Sequence, residues 1–203
     1  MITKVLIHLL NHRPEALMFT LLTNHKGTLM EIRPAISSDY PGIAHLLKES
    51  FSATEHGYDN EAELVEKIRL DPSYQAELEL VVANDSQIYG YGMMSEVQIL
   101  TSTNSSSTGL VLAPLAVAPN KQQQGIGTTL MHELEQRANK LHYPYISILG
   151  HPDYYRRFGY LPASKFDVKP PYPLPDEAFM LKVLLPETIK NMDGTLHYSA
   201  AFE

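Results

Sequence analysis

The chain has 203 residues, 44% of them hydrophobic, a length that suits one domain and a content sufficient for a sizeable core. A formal net charge of -7 argues against non-specific binding to nucleic acid, whose phosphates demand a basic surface. The absence of cysteine excludes a disulfide framework, a thiolate zinc site and a cysteine nucleophile, and no apolar run approaches the roughly 18 residues that span a membrane.

Near the N-terminus the apolar run Val5, Leu6, Ile7, Leu9 and Leu10 follows Lys4 like part of an export signal. Asn11, His12, Arg13 and Pro14 end it too soon, so a short helix or strand packed on the domain and a cytoplasmic location are expected. Ser37, Ser38 and Asp39 supply capping residues, and Ile43, Leu46 and Leu47 fall on one face, which predicts a helix over 37–50. A second helix is expected over 60–70, with Leu64, Val65 and Ile68 as its stripe and Asp71-Pro72 as its stop. Residues 78–83 and 87–100 read as strands around an Asn84-Asp85-Ser86 turn. The polar run 101–108 reads as a hairpin loop into an apolar strand over 110–117. Ile126, Leu130, Met131, Leu134, Ala138 and Leu141 then recur at three- and four-residue spacing, one face of a long helix. A strand over 145–149, a short helix over 152–158 and a strand over 179–185 follow. Lys169-Pro170-Pro171-Tyr172-Pro173-Leu174-Pro175 between them reads as an extended surface segment rather than a polyproline ligand. No internal repeat or second domain is evident.

Gly125 and Gly127 sit where the apolar strand gives way to the long helix. The first amides of a helix lack intrahelical acceptors and the helix dipole adds positive charge, so the position suits an anion. Both glycines would let a pyrophosphate approach the main chain and would permit backbone angles that other residues resist. A turn needing glycine for geometry alone would read the same. The full dinucleotide pattern is absent, and no Gly-Lys-Ser or Gly-Lys-Thr follows, which removes a Walker A loop.

The wording Gln122-x-x-Gly125-x-Gly127, after an apolar strand ending at Val117 and Pro119, resembles the coenzyme A loop of the GNAT superfamily of N-acetyltransferases. Leu149-Gly150-His151-Pro152-Asp153-Tyr154-Tyr155-Arg156-Arg157-Phe158-Gly159-Tyr160 resembles its second motif, a Tyr before a short basic or amphipathic turn ending in Gly and an aromatic. The segments at 175–179 and 194–198 are similar to the C-terminal part of the YhbS-like branch. The resemblance runs from about Met30 to the C-terminus, making 30–203 the GNAT domain, opened by a strand at 30–36, and 1–29 an extension. It implies an α/β (α+β) fold with a mixed, mostly antiparallel twisted sheet and helices on both faces. It also implies an acyltransferase that moves an acetyl group from acetyl-CoA to a primary amine by direct attack in a ternary complex, with no metal, nucleic acid or membrane as partner.

In that reading the main chain of Leu115, Ala116 and Val117 pairs with the pantetheine arm and the acetyl carbonyl, because the family's strand splays from its neighbour. The main chain of Gln122, Gln123, Gln124, Gly125, Ile126, Gly127 and Thr128 holds the phosphates, Thr128 adding a hydroxyl, while Lys121 is either an exposed loop lysine or a charge near the phosphates. Gln122 stands where the family carries Gln or Arg. Tyr155 matches the family's general acid, a phenol with a proton to give near neutral pH, and Tyr154 is the alternative core aromatic. Arg156 and Arg157 form a solvated face. Gly150-His151-Pro152 departs from the pattern where many members carry Asn, so no Asn contact is carried over, and His151 is either a proton-transfer group or a turn residue. The general base stays open among Glu96, Glu55, His56, His151 and water. Two other readings remain: a non-catalytic acyl-CoA sensor, which would need no acid, and a toxin acting on charged tRNA, against which the acidic charge counts. Acceptor specificity is expected from residues 51–60, 98–108 and 160–178. Small amines, peptide N-termini and protein lysines are all open as acceptors, and chain length leaves oligomeric state open, a homodimer included.

Overall fold

A computed structural model describes residues 3–5, 20–23, 29–52, 54, 57–84, 87–102, 105–187 and 193–203, with backbone alone at 3–5, 20–23 and 29. The chain divides into two units, one made of Met1–Val65, Ala76–Met93 and Pro114–Leu134, the other of Glu66–Gln75, Met94–Ala113 and Glu135–Glu203.

The first unit is built on an antiparallel succession. Strand β1 (Thr3–Val5) pairs β2 (Thr20–Thr23), which pairs β3 (Leu29–Pro34) with Leu22 opposite Met30. Next come β4 (Glu79–Ala83) and the first half of β5 (Ile88–Thr101), with Val81 opposite Tyr91. Every residue of β4 is buried, so both faces of the sheet are covered there, which explains why Leu80 to Ala83 run apolar without alternating, while the buried Glu79 carboxylate accepts from the Tyr91 hydroxyl at 3.0 Å. Helix α1 (Tyr40–Ser52) buries Ile43, Leu46 and Leu47, as their spacing predicts. Its true start is three residues later than expected, because Ser37–Asp39 form a 3-10 turn. Asp39 accepts from Arg33 Nη1 and Nη2 at 2.6 and 2.9 Å and from the Ile36 amide at 2.9 Å, tying the end of β3 to the start of α1.

Helix α2 (Glu61–Arg69) buries Val65 and Ile68. Helix α3 (Ile126–Lys140) buries Ile126, Leu130, Met131, Leu134 and Ala138. Leu141, expected on that face, lies past the helix end and is 41% exposed, since His142 turns to φ 60° and closes the helix. The start of α3 sits close on β5 because Gly90 has no side chain: a Cβ there would stand 2.6 Å from Ile126 and 3.0 Å from Leu130.

The second unit contains the mixed part of the sheet. Strand β6 (Ser106–Val117) lies beside β5 and pairs β7 (Tyr145–Leu149) in parallel, and β7 pairs β10 (Phe179–Val183) antiparallel, with Ile148 opposite Met180. Strand β8 (Leu161–Pro162) closes that side against β10; β11 (Gly194–Tyr198) pairs the second half of β5, and β9 (Val168–Lys169) pairs β11 in parallel. Val97, Ile99, Val111, Tyr145, Phe179, Leu181 and Leu196 form its core. The expected loop over 101–108 is shorter, since β6 already begins at Ser106. Backbone pairing decides here: Ser107 lends its carbonyl to the buried Tyr145 hydroxyl at 2.9 Å, and a polar side chain is no obstacle at the exposed end of a hairpin. Short helix α4 (Pro152–Tyr155) runs into a 3-10 turn, Arg156–Phe158, ended by Gly159 at φ 88°.

Candidate active site

In the first unit the chain leaves β6 through a 3-10 turn at Pro119–Lys121 and reaches α3 through a loop with Gln123 at φ 60° and Gly125 at φ 85°. The left-handed angle at Gly125 is one that side-chain-bearing residues adopt at a cost of about 1–2 kcal/mol. Gly127, expected to need a special angle too, lies inside α3 without a positive φ, so only its lack of side chain bears on ligand approach. The loop is braced from within: Gln122 Nε2 donates to the Val117 carbonyl and Gln124 Nε2 to the Asn120 carbonyl, each at 3.3 Å. The Thr129 amide and hydroxyl both donate to the Gly125 carbonyl, at 3.0 and 3.1 Å. The amides of Ile126, Gly127 and Thr128 precede that first helical bond and have no acceptor within the helix. Buried Ile126 anchors the helix start, while Gln122, Gln123 and Gly125 are exposed. Together these features leave an accessible loop whose neighbouring helical amides have no partner within the helix. Lys121 sits with its ammonium 5.0 Å from the centre of the Tyr89 ring.

The Ala118 amide donates to the Tyr89 carbonyl on β5 at 2.9 Å. Strand alternation therefore turns the amides of Leu115 and Val117 toward the opposite edge. Val117's carbonyl accepts from Ser50 Oγ at 3.2 Å as well as from Gln122. The parallel register with β7 covers Leu110 and Val111 and is locked by Ser147 Oγ donating to the Leu110 carbonyl at 3.1 Å. The register stops there although β6 continues to Val117.

In the second unit Tyr155 ends α4. Its ring touches Tyr154 edge-on at 4.9 Å and Tyr160 at 6.0 Å, and Gly150 lies so close that a Cβ there would be 2.6 Å from Tyr155 Cε2. Burial, with a smaller contribution from Tyr154, raises the ionisation of the Tyr155 phenol well above its ordinary value, so it keeps its proton at neutral pH. Tyr154 takes the anchoring role: it packs on Phe158 at 5.5 Å and carries the Arg157 guanidinium over its face at 4.2 Å. Arg156 pairs with Glu177 at 3.1 Å. His151 precedes α4, its carbonyl accepting from the Tyr154 and Tyr155 amides while its side chain makes no capping bond.

Glu96, on β5, accepts from the Tyr143 hydroxyl at 2.6 Å; burial first, and then this bond, raise the phenol's ionisation. Glu55 and His56 lie outside the described residues. A cleft of about 910 Å³ in the second unit is lined by Leu100 and Thr101, by Asp167 and Asp176, and by Phe179 and Asp193. It brings together two of the segments expected to set acceptor specificity, 98–108 and 160–178. The contribution of Asp193 and His197 was not foreseen, since it depends on β11 pairing with β5. Among the described residues no group of three His, Asp or Glu side chains could hold a metal, and no helix is long and apolar enough to cross a membrane.

The family described as Acetyltransferase (GNAT) domain matches residues 31–163. The chain is 32% identical over 174 residues to the uncharacterized N-acetyltransferase YhbS of Escherichia coli K12, covering 85% of this chain and 98% of that one. It is 28% identical over 146 residues to the uncharacterized N-acetyltransferase YjhQ of the same strain, covering 71% and 80%. The crystal structure of the E. coli GNAT family N-acetyltransferase YhbS in complex with CoA superposes with a TM-score of 0.76 at 30% identity, over 95% of this chain and 96% of that one. A GNAT family acetyltransferase of Brucella melitensis in complex with acetyl-CoA superposes with a TM-score of 0.69 at 26% identity, over 86% and 98%.

Proposed function

The chain belongs to the GNAT acetyltransferase family, and from that premise we propose that it transfers an acetyl group from acetyl-CoA to a primary amine by direct attack in a ternary complex. The observation that carries this reading is the loop at 122–128: Gly125 in the left-handed region and the free first amides of a 15-residue helix make a cradle shaped for a pyrophosphate. The E. coli relative was crystallised with CoA and the Brucella one with acetyl-CoA, which supports the same ligand here.

In the first unit the amides of Gln122 to Thr128 hold the phosphates, and Leu115, Ala116 and Val117 offer main chain to the pantetheine arm, with the outward amides of Leu115 and Val117 as donors to the thioester carbonyl. Such donors act where negative charge develops as the amine attacks. In the second unit Tyr155 keeps its proton at neutral pH and gives it to the departing thiolate of CoA. An acceptor that arrives as an ammonium first loses a proton to water or to Glu96; the neutral amine then forms the C–N bond, the thioester C–S bond breaks, and the nitrogen's remaining surplus proton returns through water to the Tyr155 phenolate. Positioning of the two substrates supplies most of the acceleration. The acceptor enters by the cleft beside Asp167, Asp176 and Asp193, whose carboxylates favour a cationic amine. Phe179, which lines the cleft, follows Ala178, whose carbonyl accepts from the Gly150 amide at 3.0 Å. Residues 30–203 form the catalytic domain and 1–29 an extension to it.

The test is release of free thiol from acetyl-CoA across a panel of free amino acids, a polyamine, a peptide with a free N-terminus and a lysine-containing peptide. Acceleration by at least one amine, with its acetylated product seen by mass spectrometry, is the expected result. Tight acetyl-CoA binding with no acetylated product from any amine class would sink the transferase and leave an acyl-CoA sensor.

A further inference from the structure

Glu135, Tyr160 and Lys182 make a buried cluster in the second unit that the reaction scheme leaves without a role. Glu135, on the later turns of α3, accepts from Lys182 Nζ on β10 at 2.8 Å, with the two side chains only 10% and 25% exposed. The register of β10 with β8, Leu181 opposite Leu161, brings Lys182 beside Tyr160, whose ring centre is 5.7 Å from the ammonium. Tyr160 is fully buried, and its hydroxyl makes no hydrogen bond of ordinary length. Its one aromatic neighbour with a proposed task is Tyr155, met edge-on at 6.0 Å and 66°.

Burying an ion pair seldom stabilises a fold more than apolar packing would, but it does fix the groups it joins. The sequence Glu135, Lys182, Tyr160, Tyr155 is a line of such fixed contacts. One end is anchored in a helix and a central strand; the other is the phenol that must face the thiolate. Gly150 adds its bare backbone against the same ring. A catalytic group works only when its rotamer is locked by what surrounds it.

We infer that Tyr160, held by the Glu135–Lys182 pair, is a positioning residue that fixes the Tyr155 ring in the orientation from which it donates its proton. The inference rests on the acid role proposed above for Tyr155.

The experiment uses the full chain labelled with 13Cζ-tyrosine. The Tyr155 signal is assigned by its loss in Tyr155→Phe, and hydrolysis of acetyl-CoA by water supplies the kinetic readout. Tyr160→Leu is expected to move the Tyr155 signal, to bring its titration to lower pH, and to reduce kcat about tenfold or more with KM for acetyl-CoA within about twofold. Tyr160→Phe keeps the ring and should restore both readouts to near wild type. Lys182→Gln should likewise move the Tyr155 signal and reduce kcat, while loss of the cation beside Glu135 takes the titration to higher pH, and it serves where Tyr160→Leu folds poorly. A Tyr155 signal and titration unchanged in both Tyr160→Leu and Lys182→Gln overturns the inference. Should Tyr155→Phe instead turn over like wild type, the acid role fails, while the signal of Tyr155 still decides whether Tyr160 fixes it.

Discussion

Replacing Gly150 with Ala adds one methyl group directly against the edge of the Tyr155 ring. The added Cβ would lie 2.6 Å from Tyr155 Cε2, 3.3 Å from Cδ2 and 3.5 Å from Cζ. Ordinary carbon contacts lie at about 3.5–4.0 Å, so the ring edge must retreat by about 1 Å. It cannot retreat freely, because Tyr154 and Tyr160 bound the same ring at 4.9 and 6.0 Å. Gly150 does not use a positive φ, so the substitution carries no backbone penalty of its own and the clash is the whole effect. Overpacking of this kind costs about 1–3 kcal/mol. For a chain of this size that lowers Tm by about 2–12 °C. A displacement of 1 Å at a reacting group costs about a hundredfold in turnover. Thermal unfolding, acetyl-CoA titration and single-turnover thiol release separate these effects. Binding should stay within about threefold, since the phosphates are assigned to residues 122–128 and Gly150 is not among them. Wild-type turnover and Tm in the Gly150→Ala variant would refute the placement of Tyr155 against that glycine, and with it the case for Tyr155 as the acid.

Tyr155→Phe should lower kcat by about 10²-fold while acetyl-CoA affinity is retained; equal loss of both, read by steady-state kinetics beside calorimetry, would make the residue structural instead. Asp39→Asn should cost about 1–3 kcal/mol in urea unfolding, because it strips a part-buried carboxylate from Arg33 and the Ile36 amide. Burial acts to raise the Asp39 pKa, but the hydrogen bonds from Arg33 and Ile36 outweigh it and hold the carboxyl below its ordinary 3.8. Its stabilisation is therefore present above that pH and lost on further acidification, and the Asp39→Asn variant should show a shallower fall in Tm there. At the alkaline end, burial and then Tyr172 push Tyr198 up to about 12, and Tyr155 and Tyr160 are raised as well. Folded-state values raised above 10 give stability that is complete below pH 10 and declines as pH rises from there toward 12, so a flat Tm across that window would contradict the burial of these phenols.

The regular elements were legible wherever side-chain spacing alone decides them. Ile43, Leu46 and Leu47 mark the buried face of α1, and Leu130, Met131, Leu134 and Ala138 that of α3. Spacing failed at ends: Leu141 continues the apolar period but lies beyond a backbone that has already turned at His142, and Ser106 to Thr108 look like loop yet pair as strand. The loop at Gly125 was readable because one glycine in a left-handed turn before a helix leaves a local mark in the sequence. The supports of Tyr155 were not. Glu135, Lys182 and Tyr160 come from three separate elements, and only the register of β10 with β8 and the packing of α3 bring them together. Gly150 resembled a simple departure from the family pattern, whereas its missing side chain is what admits the Tyr155 ring.

The most direct measurement is calorimetric titration of acetyl-CoA into the wild-type chain and into Gly125→Glu. A glutamate there meets both an unfavourable left-handed angle, about 1–2 kcal/mol, and the like charge of the pyrophosphate. Saturable one-to-one binding by the wild type, abolished by Gly125→Glu in a protein that still unfolds cooperatively, is the predicted result. No binding of acetyl-CoA by the wild type, or equal binding by the variant, would contradict the assignment of residues 122–128 as the phosphate cradle.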